Sequence, residues 1–273
     1  MPELPEVETI ARGLDKRVTG AVIESVWLGS KPEPLKSSAA EIAAALQSRT
    51  IAGVRRVGKH IVFDLQSSKN GTVAHSESQW IVHLGMTGSL RIFSADEDIE
   101  KHTHAVLRLN SGRELRFVDP RRFGRLSVIE RFEAPGAEPL QVKFDDFVAL
   151  FRRRKTPIKS ALLNQKLLSG VGNIYADEAL FRAGIRPRRR AASLTRDELH
   201  KLHSALKKVL KEAIRLGGSS ISDYVDADGG EGFFQLKHRV YGREAKACLV
   251  CKAPIKRIVI AGRSSHYCPH CQK

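Results

Sequence analysis

All four cysteines of this 273-residue chain fall in its last 26 residues, as Cys248-x-x-Cys251, sixteen intervening residues, then Cys268-x-x-Cys271. Two knuckles at this spacing offer four thiolates to one tetrahedral ion, the ligand set of a zinc ribbon. Two disulfides are the competing arrangement, and a reducing cytosol disfavours them. Four thiolates close the coordination sphere and leave no position for water, so one structural Zn2+ per chain is expected, and not a catalytic one. A short hairpin closed by metal must therefore end the chain, and any chemistry must come from elsewhere.

The chain as a whole is ordinary in hydrophobic content, at 42%. No run approaches the roughly 20 consecutive apolar residues that span a bilayer. The N-terminus is acidic and broken by Pro2 and Pro5, unlike a secretory or transit leader, so a cytosolic chain is expected. Lysine and arginine number 46 against 30 aspartate and glutamate, a formal charge of +16 with a pI near 10.0. That excess points to a polyanionic partner, nucleic acid before membrane, because no basic amphipathic helix carries an aromatic face.

Periodicity divides the chain. Residues 5–18 read as a helix, with Pro5 in the first turn, Glu6 and Glu8 at the positive end of the dipole, and Val7, Ile10, Ala11 and Leu14 on one face. Short β-rich segments follow at 22–27, 51–57, 60–65, 80–84, 89–93, 105–109, 114–118 and 126–129, with Asn110-Ser111-Gly112 as a tight connection and a short helix at 39–46. Many strands and one leading helix predict a two-layer β-sandwich over residues 1–131. A proline- and glycine-bearing linker, 132–143, leads to a helical domain, 144–236. Its helices are expected at 145–153, 157–168 and 174–183, and after the capping box Thr195-x-x-Glu198. Residues 217–235, with five glycines, read as a mobile loop, and the ribbon fills 237–273. The fold class is α+β and multidomain.

Several segments carry chemistry. With the initiator methionine removed, Pro2 becomes a free secondary amine beside Glu3. An α-amine titrates near ~7.7–8.0 against ~10.4 for lysine, so a useful fraction is a neutral nucleophile at pH 7. Its adduct with an electrophilic carbon is a permanently charged iminium, a strong electron sink. The competing reading is a protected terminus or a helix start. Gly170-Val171-Gly172-Asn173 precedes a helix, where free amides suit a phosphate or simply cap. Asp119-Pro120-Arg121-Arg122-Phe123-Gly124 joins two strands; arginine can read a base edge and an aromatic ring can wedge into a base step, or the turn serves solubility alone. Met86 lies between glycines, Lys59 follows Arg55-Arg56, Arg154 belongs to a basic run, and Arg263 falls at the tip of the ribbon hairpin. His75, His83, His200 and His203 form no ligand set and read as packing or surface residues.

In order along the whole chain, these segments resemble the formamidopyrimidine-DNA glycosylase family of bacterial repair enzymes for oxidised purines. The resemblance rests on Met1-Pro2-Glu3-Leu4-Pro5-Glu6-Val7-Glu8-Thr9, His83-Leu84-Gly85-Met86-Thr87-Gly88-Ser89-Leu90, and the 119–124 segment. It continues through Gly170-Val171-Gly172-Asn173-Ile174-Tyr175-Ala176, Val240-Tyr241-Gly242-Arg243 and the four cysteines. It implies a β-sandwich, a helix–two-turn–helix domain and a zinc ribbon, with duplex DNA between the lobes of a monomer in the bacterial cytosol, at the nucleoid. It implies that Pro2 attacks the sugar of a flipped, damaged nucleotide, that Glu3 is the acid/base, and that Lys59 and Arg263 act on protons or phosphates. Met86, Arg121 and Phe123 would fill the hole, with Arg121 on the widowed cytosine. His102, Arg154, Asn173 and Tyr241 would contact DNA. The loop at 217–235 would cap the lesion.

Two departures stand out. Ser219-Ser220-Ile221-Ser222 replaces a stretch where threonines are common, and residues 66–79 form a long polar hairpin. The sister family of endonuclease VIII type usually starts Pro-Glu-Gly-Pro, whereas Leu4 stands here. A non-enzymatic zinc-ribbon DNA-binding protein would need neither Pro2 nor Glu3.

Overall fold

A computed structural model describes residues 2–67, 78–220, 226–227 and 229–273. The chain forms two compact units. One comprises Met1–Glu133 with Gly217–Gly232, the other Ala134–Leu216 with Phe233–Lys273. The 217–232 segment, assigned to the helical domain on sequence pattern, thus groups with the first unit.

The first unit begins with α1 (Leu4–Val18). Glu3 is its N-cap, and a reciprocal capping box joins Glu3 to Glu6, with Glu3 N donating to Glu6 Oε2 at 2.9 Å. The helix starts one residue earlier than Pro5 suggested: Glu3 caps it by accepting from the Glu6 amide, and Pro5 falls in the first turn, where its missing N–H costs nothing. Its buried face is Leu4, Val7, Ile10, Ala11, Leu14 and Val18. Strands β1 (Ile23–Leu28), β6 (Thr103–Leu109), β7 (Arg113–Val118) and β5 (Ser89–Ser94) form one antiparallel sheet in the order β1-β6-β7-β5. Strands β2 (Arg49–Val57), β3 (His60–Ser67), β4 (Ser78–His83) and β8 (Arg125–Ile129) form the other, in the order β2-β3-β4-β8. Helix α2 (Ala39–Leu46) starts with a Ser38–Glu41 capping box. The expected sandwich is therefore present, and α1 packs into a core with Phe63, Trp80, Leu107 and Phe117. The long hairpin expected at 66–79 falls mostly on residues 68–77, outside the described residues.

The second unit holds α3 (Phe144–Phe151), α4 (Ile158–Leu163), α5 (Asn173–Ala183) and α6 (Arg196–Arg215), then the hairpin β9 (Lys256–Ile260) and β10 (Arg263–Tyr267). Helix α6 has the predicted Thr195–Glu198 box. Helix α4 is shorter than the 157–168 expected. Asn164 Oδ1 accepts from Lys166 N at 3.0 Å, and Gln165 bonds to Leu163 O, Val171 O and Gly170 N. That side-chain competition ends the helix, which apolar periodicity alone could not reveal. No described helix is long and apolar enough to cross a membrane.

Candidate active site and nucleic-acid interface

Pro2 and Glu3 lie buried at the start of α1, Glu3 only 4% exposed. The hairpin turn Gly58-Lys59 between β2 and β3 is tied to the same helix. Arg56 Nε donates to Glu8 Oε2 at 2.7 Å and its Nη1 to Gly58 O at 3.1 Å. Arg56 is itself almost buried, so this pair holds position rather than solubilising an edge. Lys59, which the sequence leaves open as an edge cation, is 8% exposed at that turn. A buried lysine must compensate its charge, and Lys59 is engaged within the structure.

Beside Lys59, His60 and His83 face each other across β3 and β4 with rings 4.9 Å apart. Burial first, then His60, Arg125 and Lys59, push His83 down to about 4, so it is neutral at pH 7. Its Nδ1 accepts from Gly85 N at 3.2 Å. The histidine that reads as packing thus fixes the turn carrying Met86. His200 and His203 pack on Phe144, as expected, and His75 lies outside the described residues.

The turns 84–88 and 119–124 are built against each other. Gly85 has φ +65°, and a Cβ there would stand 2.5 Å from the Phe123 carbonyl carbon, so only glycine fits. Fully buried Asp119 is the bracket. It accepts from Thr87 Oγ1 at 2.6 Å, Gly124 N at 2.7 Å and Arg121 N at 3.3 Å. The consequence is an exposed trio. Met86 is 43% and Phe123 51% exposed, and the Arg121 guanidinium lies 4.6 Å from the centre of the Phe123 ring. An apolar side chain, a ring and a cation held out together on rigid turns can occupy a gap in a base stack and bond a base edge. His102, exposed at φ +76°, joins the bracket through its carbonyl, which accepts from Asp119 N at 3.0 Å. Asp119 lies inside a quoted motif but carried no predicted role. A lone aspartate beside Pro120 gives no sequence sign of how many amides it collects.

In the second unit, Asn173 opens α5 and its Nδ2 is 3.4 Å from Ser264 Oγ, next to exposed Arg263 at the hairpin end. The Ala261-Gly262 turn, both residues at positive φ, presents Arg263. Below it, Lys159 and Asp177 form a fully buried ion pair at 2.7 Å. Lys159 Nζ also donates to Ser264 O at 2.6 Å, while Asp177 Oδ2 accepts from His266 N at 2.8 Å. Fully buried Glu178 accepts from the amides of Arg239, Val240 and Tyr241, which fixes the Tyr241 backbone. Burial pushes the Glu178 carboxyl above the ordinary range, against the pull of those amides. None of these buried charges was singled out in the sequence; the only sign was a carboxylate pair within the apolar stretch of α5. Arg154 is exposed after α3, with Nε bonded to Leu150 O.

The four cysteines converge, their sulfurs all within 4.8 Å of one another. A tetrahedral site with Zn–S near ~2.3 Å needs sulfurs about 3.8 Å apart. The Cys248–Cys271 pair is at 3.9 Å and the Cys251–Cys268 pair at 3.3 Å, far from disulfide bonding. Amides of Val250 and Cys271 point at Cys248 and Cys268 sulfurs, each at 3.4 Å, as thiolate ligands require. The donor set fits one structural zinc.

A leading helix on a β-sandwich, a glycine-turn helical domain and a four-cysteine ribbon define a class of modular DNA-repair glycosylases. Three family models match in order: the formamidopyrimidine-DNA glycosylase N-terminal domain over residues 1–126, its H2TH domain over 135–225, and the zinc finger found in FPG and IleRS over 245–273. The chain belongs to the formamidopyrimidine-DNA glycosylase family. It is 46% identical to the formamidopyrimidine-DNA glycosylase of Solibacter usitatus and 42% identical to that of Thioalkalivibrio sulfidiphilus, covering 100% of both chains in each case. Among solved structures, a Lactococcus lactis FPG mutant bound to Fapy-dG-containing DNA superposes with a TM-score of 0.89 at 34% identity, with full coverage of both chains. The MutM (FPG) protein from Thermus thermophilus superposes at 0.86 with 42% identity, covering 99% of this chain and 98% of that one.

Proposed function

We propose that the protein is a bifunctional DNA glycosylase and abasic-site lyase that removes oxidised purines, 8-oxoguanine and formamidopyrimidines, from duplex DNA. The observation that carries this reading is the buried Pro2–Glu3 pair at the start of α1, with the Lys59 turn tied to the same helix. With Met1 removed, the Pro2 nitrogen attacks C1′ of the flipped nucleotide and the base departs. Glu3 protonates the sugar ring oxygen, so the ring opens and the nitrogen lone pair completes an iminium. The iminium acidifies the C2′ hydrogen. Loss of that proton expels the 3′ phosphate, and a second elimination expels the 5′ phosphate. Lys59 serves as the second proton-transfer or phosphate-contacting group, and Arg263 assists at the phosphate.

Met86, Arg121 and Phe123 fill the vacated stack, which offsets part of the few kcal/mol that flipping costs. His102, Arg154, Asn173 and Tyr241 hold the DNA backbone, in keeping with the +16 charge. The zinc supports the hairpin and takes no chemical step. Such an enzyme works as a monomer in the bacterial cytosol, at the nucleoid where its substrate lies.

The test is borohydride trapping on a duplex with one 8-oxoguanine, read by mass spectrometry. A covalent adduct at Pro2, in protein whose first residue is proline, is expected. Full activity with Met1 intact, or trapping at a lysine, would overturn the mechanism. The exposed Arg121–Phe123 pair with Met86 favours purine over pyrimidine lesions, so thymine glycol should be the poorer substrate.

A further inference from the structure

Glycine in mid-helix costs roughly 0.5–1 kcal/mol relative to alanine, so a helical glycine calls for a packing reason. Gly13 lies well inside α1. A Cβ on it would stand 3.2 Å from Ala227 Cβ. Ala227 is 1% exposed and belongs to the sandwich core, and its carbonyl faces Ile92 N at 3.5 Å. The missing side chain is thus a notch in which a distant segment seats. Two turns earlier, on the same side of the helix, Glu6 makes a second attachment. Its Oε1 accepts from Ser219 N at 2.8 Å while its Oε2 accepts from Glu3 N at 2.9 Å. One buried carboxylate therefore joins the residue beside the nucleophile to the start of the 217–232 segment. Gly218 permits that approach: it has φ +83°, and a Cβ there would meet Glu6 Oε1 at 2.8 Å.

We propose that α1 is a two-point dock whose Gly13–Ala227 contact determines specificity. In this assignment Glu6 and Gly13 are positioning residues that hold Ser219 and Ala227 on the helix that begins beside Pro2 and Glu3. The inference rests on the glycosylase reading above. A nucleotide that still carries its base must have that base held at a fixed angle while Pro2 attacks, and Ser219 is held close to Glu3 by the Glu6 bridge. An abasic sugar carries no base and needs only the amine. Loosening the far anchor should therefore slow base excision and spare incision at abasic sites.

Gly13→Leu tests this without touching a catalytic group; leucine favours the helix, and a thermal midpoint measures whether the variant is folded. Single-turnover excision of 8-oxoguanine should fall about ten-fold or more, the size of an overpacking penalty, with abasic incision changed less than about two-fold. Gly13→Ala should lose about three-fold, and adding Ala227→Gly, which moves the methyl to the other side of the contact, should restore the rate. An unchanged ratio of the two activities in folded Gly13→Leu, or no rescue in the exchanged pair, overturns the dock. Unmodified protein that incises neither duplex overturns the glycosylase reading and the dock with it.

Discussion

Lys159 offers the sharpest test of how the second unit holds its hairpin. Its ammonium is fully buried against Asp177 at 2.7 Å and donates to Ser264 O, one residue from Arg263. Lys159→Met fills most of the volume but leaves the Asp177 charge without its cation. Breaking one side of a buried pair costs about 3–5 kcal/mol, chiefly the penalty of the stranded charge. Against a total stability of about 5–15 kcal/mol this is a large fraction. At roughly 2–4 °C per kcal/mol, the unfolding midpoint should fall by roughly 6–20 °C. The cause can be isolated, because Asp177→Asn removes the charge yet keeps an oxygen for the His266 amide. Lys159→Met with Asp177→Asn should therefore be more stable than the sum of the single losses by at least about 1.5 kcal/mol. Urea denaturation of the four proteins at one pH supplies the cycle. Losses that add within about 0.5 kcal/mol would refute the stranded-charge argument.

Cys268→Ser should release zinc and weaken binding to damaged duplex while the sandwich stays folded, since structural zinc contributes on the order of 10–16 kcal/mol to finger peptides. Normal DNA binding by that variant, in a filter assay with metal content measured, would remove the ribbon from the interface. Arg121 presents only donors, and cytosine offers O2 and N3, whereas adenine places an amine there. Excision of 8-oxoguanine should be roughly ten-fold faster opposite cytosine than opposite adenine, and Arg121→Ala should narrow the gap; equal rates in the unmodified enzyme would show that Arg121 does not read that base. Acid should destabilise the protein through His83 and His238, both pushed down to about 4 chiefly by burial. Their unfolded value is near ~6.5, so the unfolded chain binds more protons between the two, and stability present above ~6.5 is lost as pH falls toward 4, by up to about 3 kcal/mol per histidine. Identical urea midpoints at pH 7.5 and pH 5 would contradict this.

The sequence by itself determined the modules and the chemistry that each could carry. Short β-rich segments bounded by turn signals placed the eight strands of the sandwich, the Thr195–Glu198 box started α6, and cysteine spacing specified the zinc ligands. These features are local, because each is encoded within a turn, a strand or a pair of knuckles. The family resemblance also pointed to Pro2, Glu3 and Lys59 as expected site residues, but not to what holds them. Only the tertiary structure decided that Asp119 brackets the Met86 and Phe123 turns, that Lys159 and Asp177 sit beneath Arg263, and that Glu6 meets Ser219 while Gly13 meets Ala227. A buried carboxylate is specified by which distant amides reach it. Chain folding sets those partners, and Asp119, Asp177 and Glu6 each look like any surface acid when read along the chain.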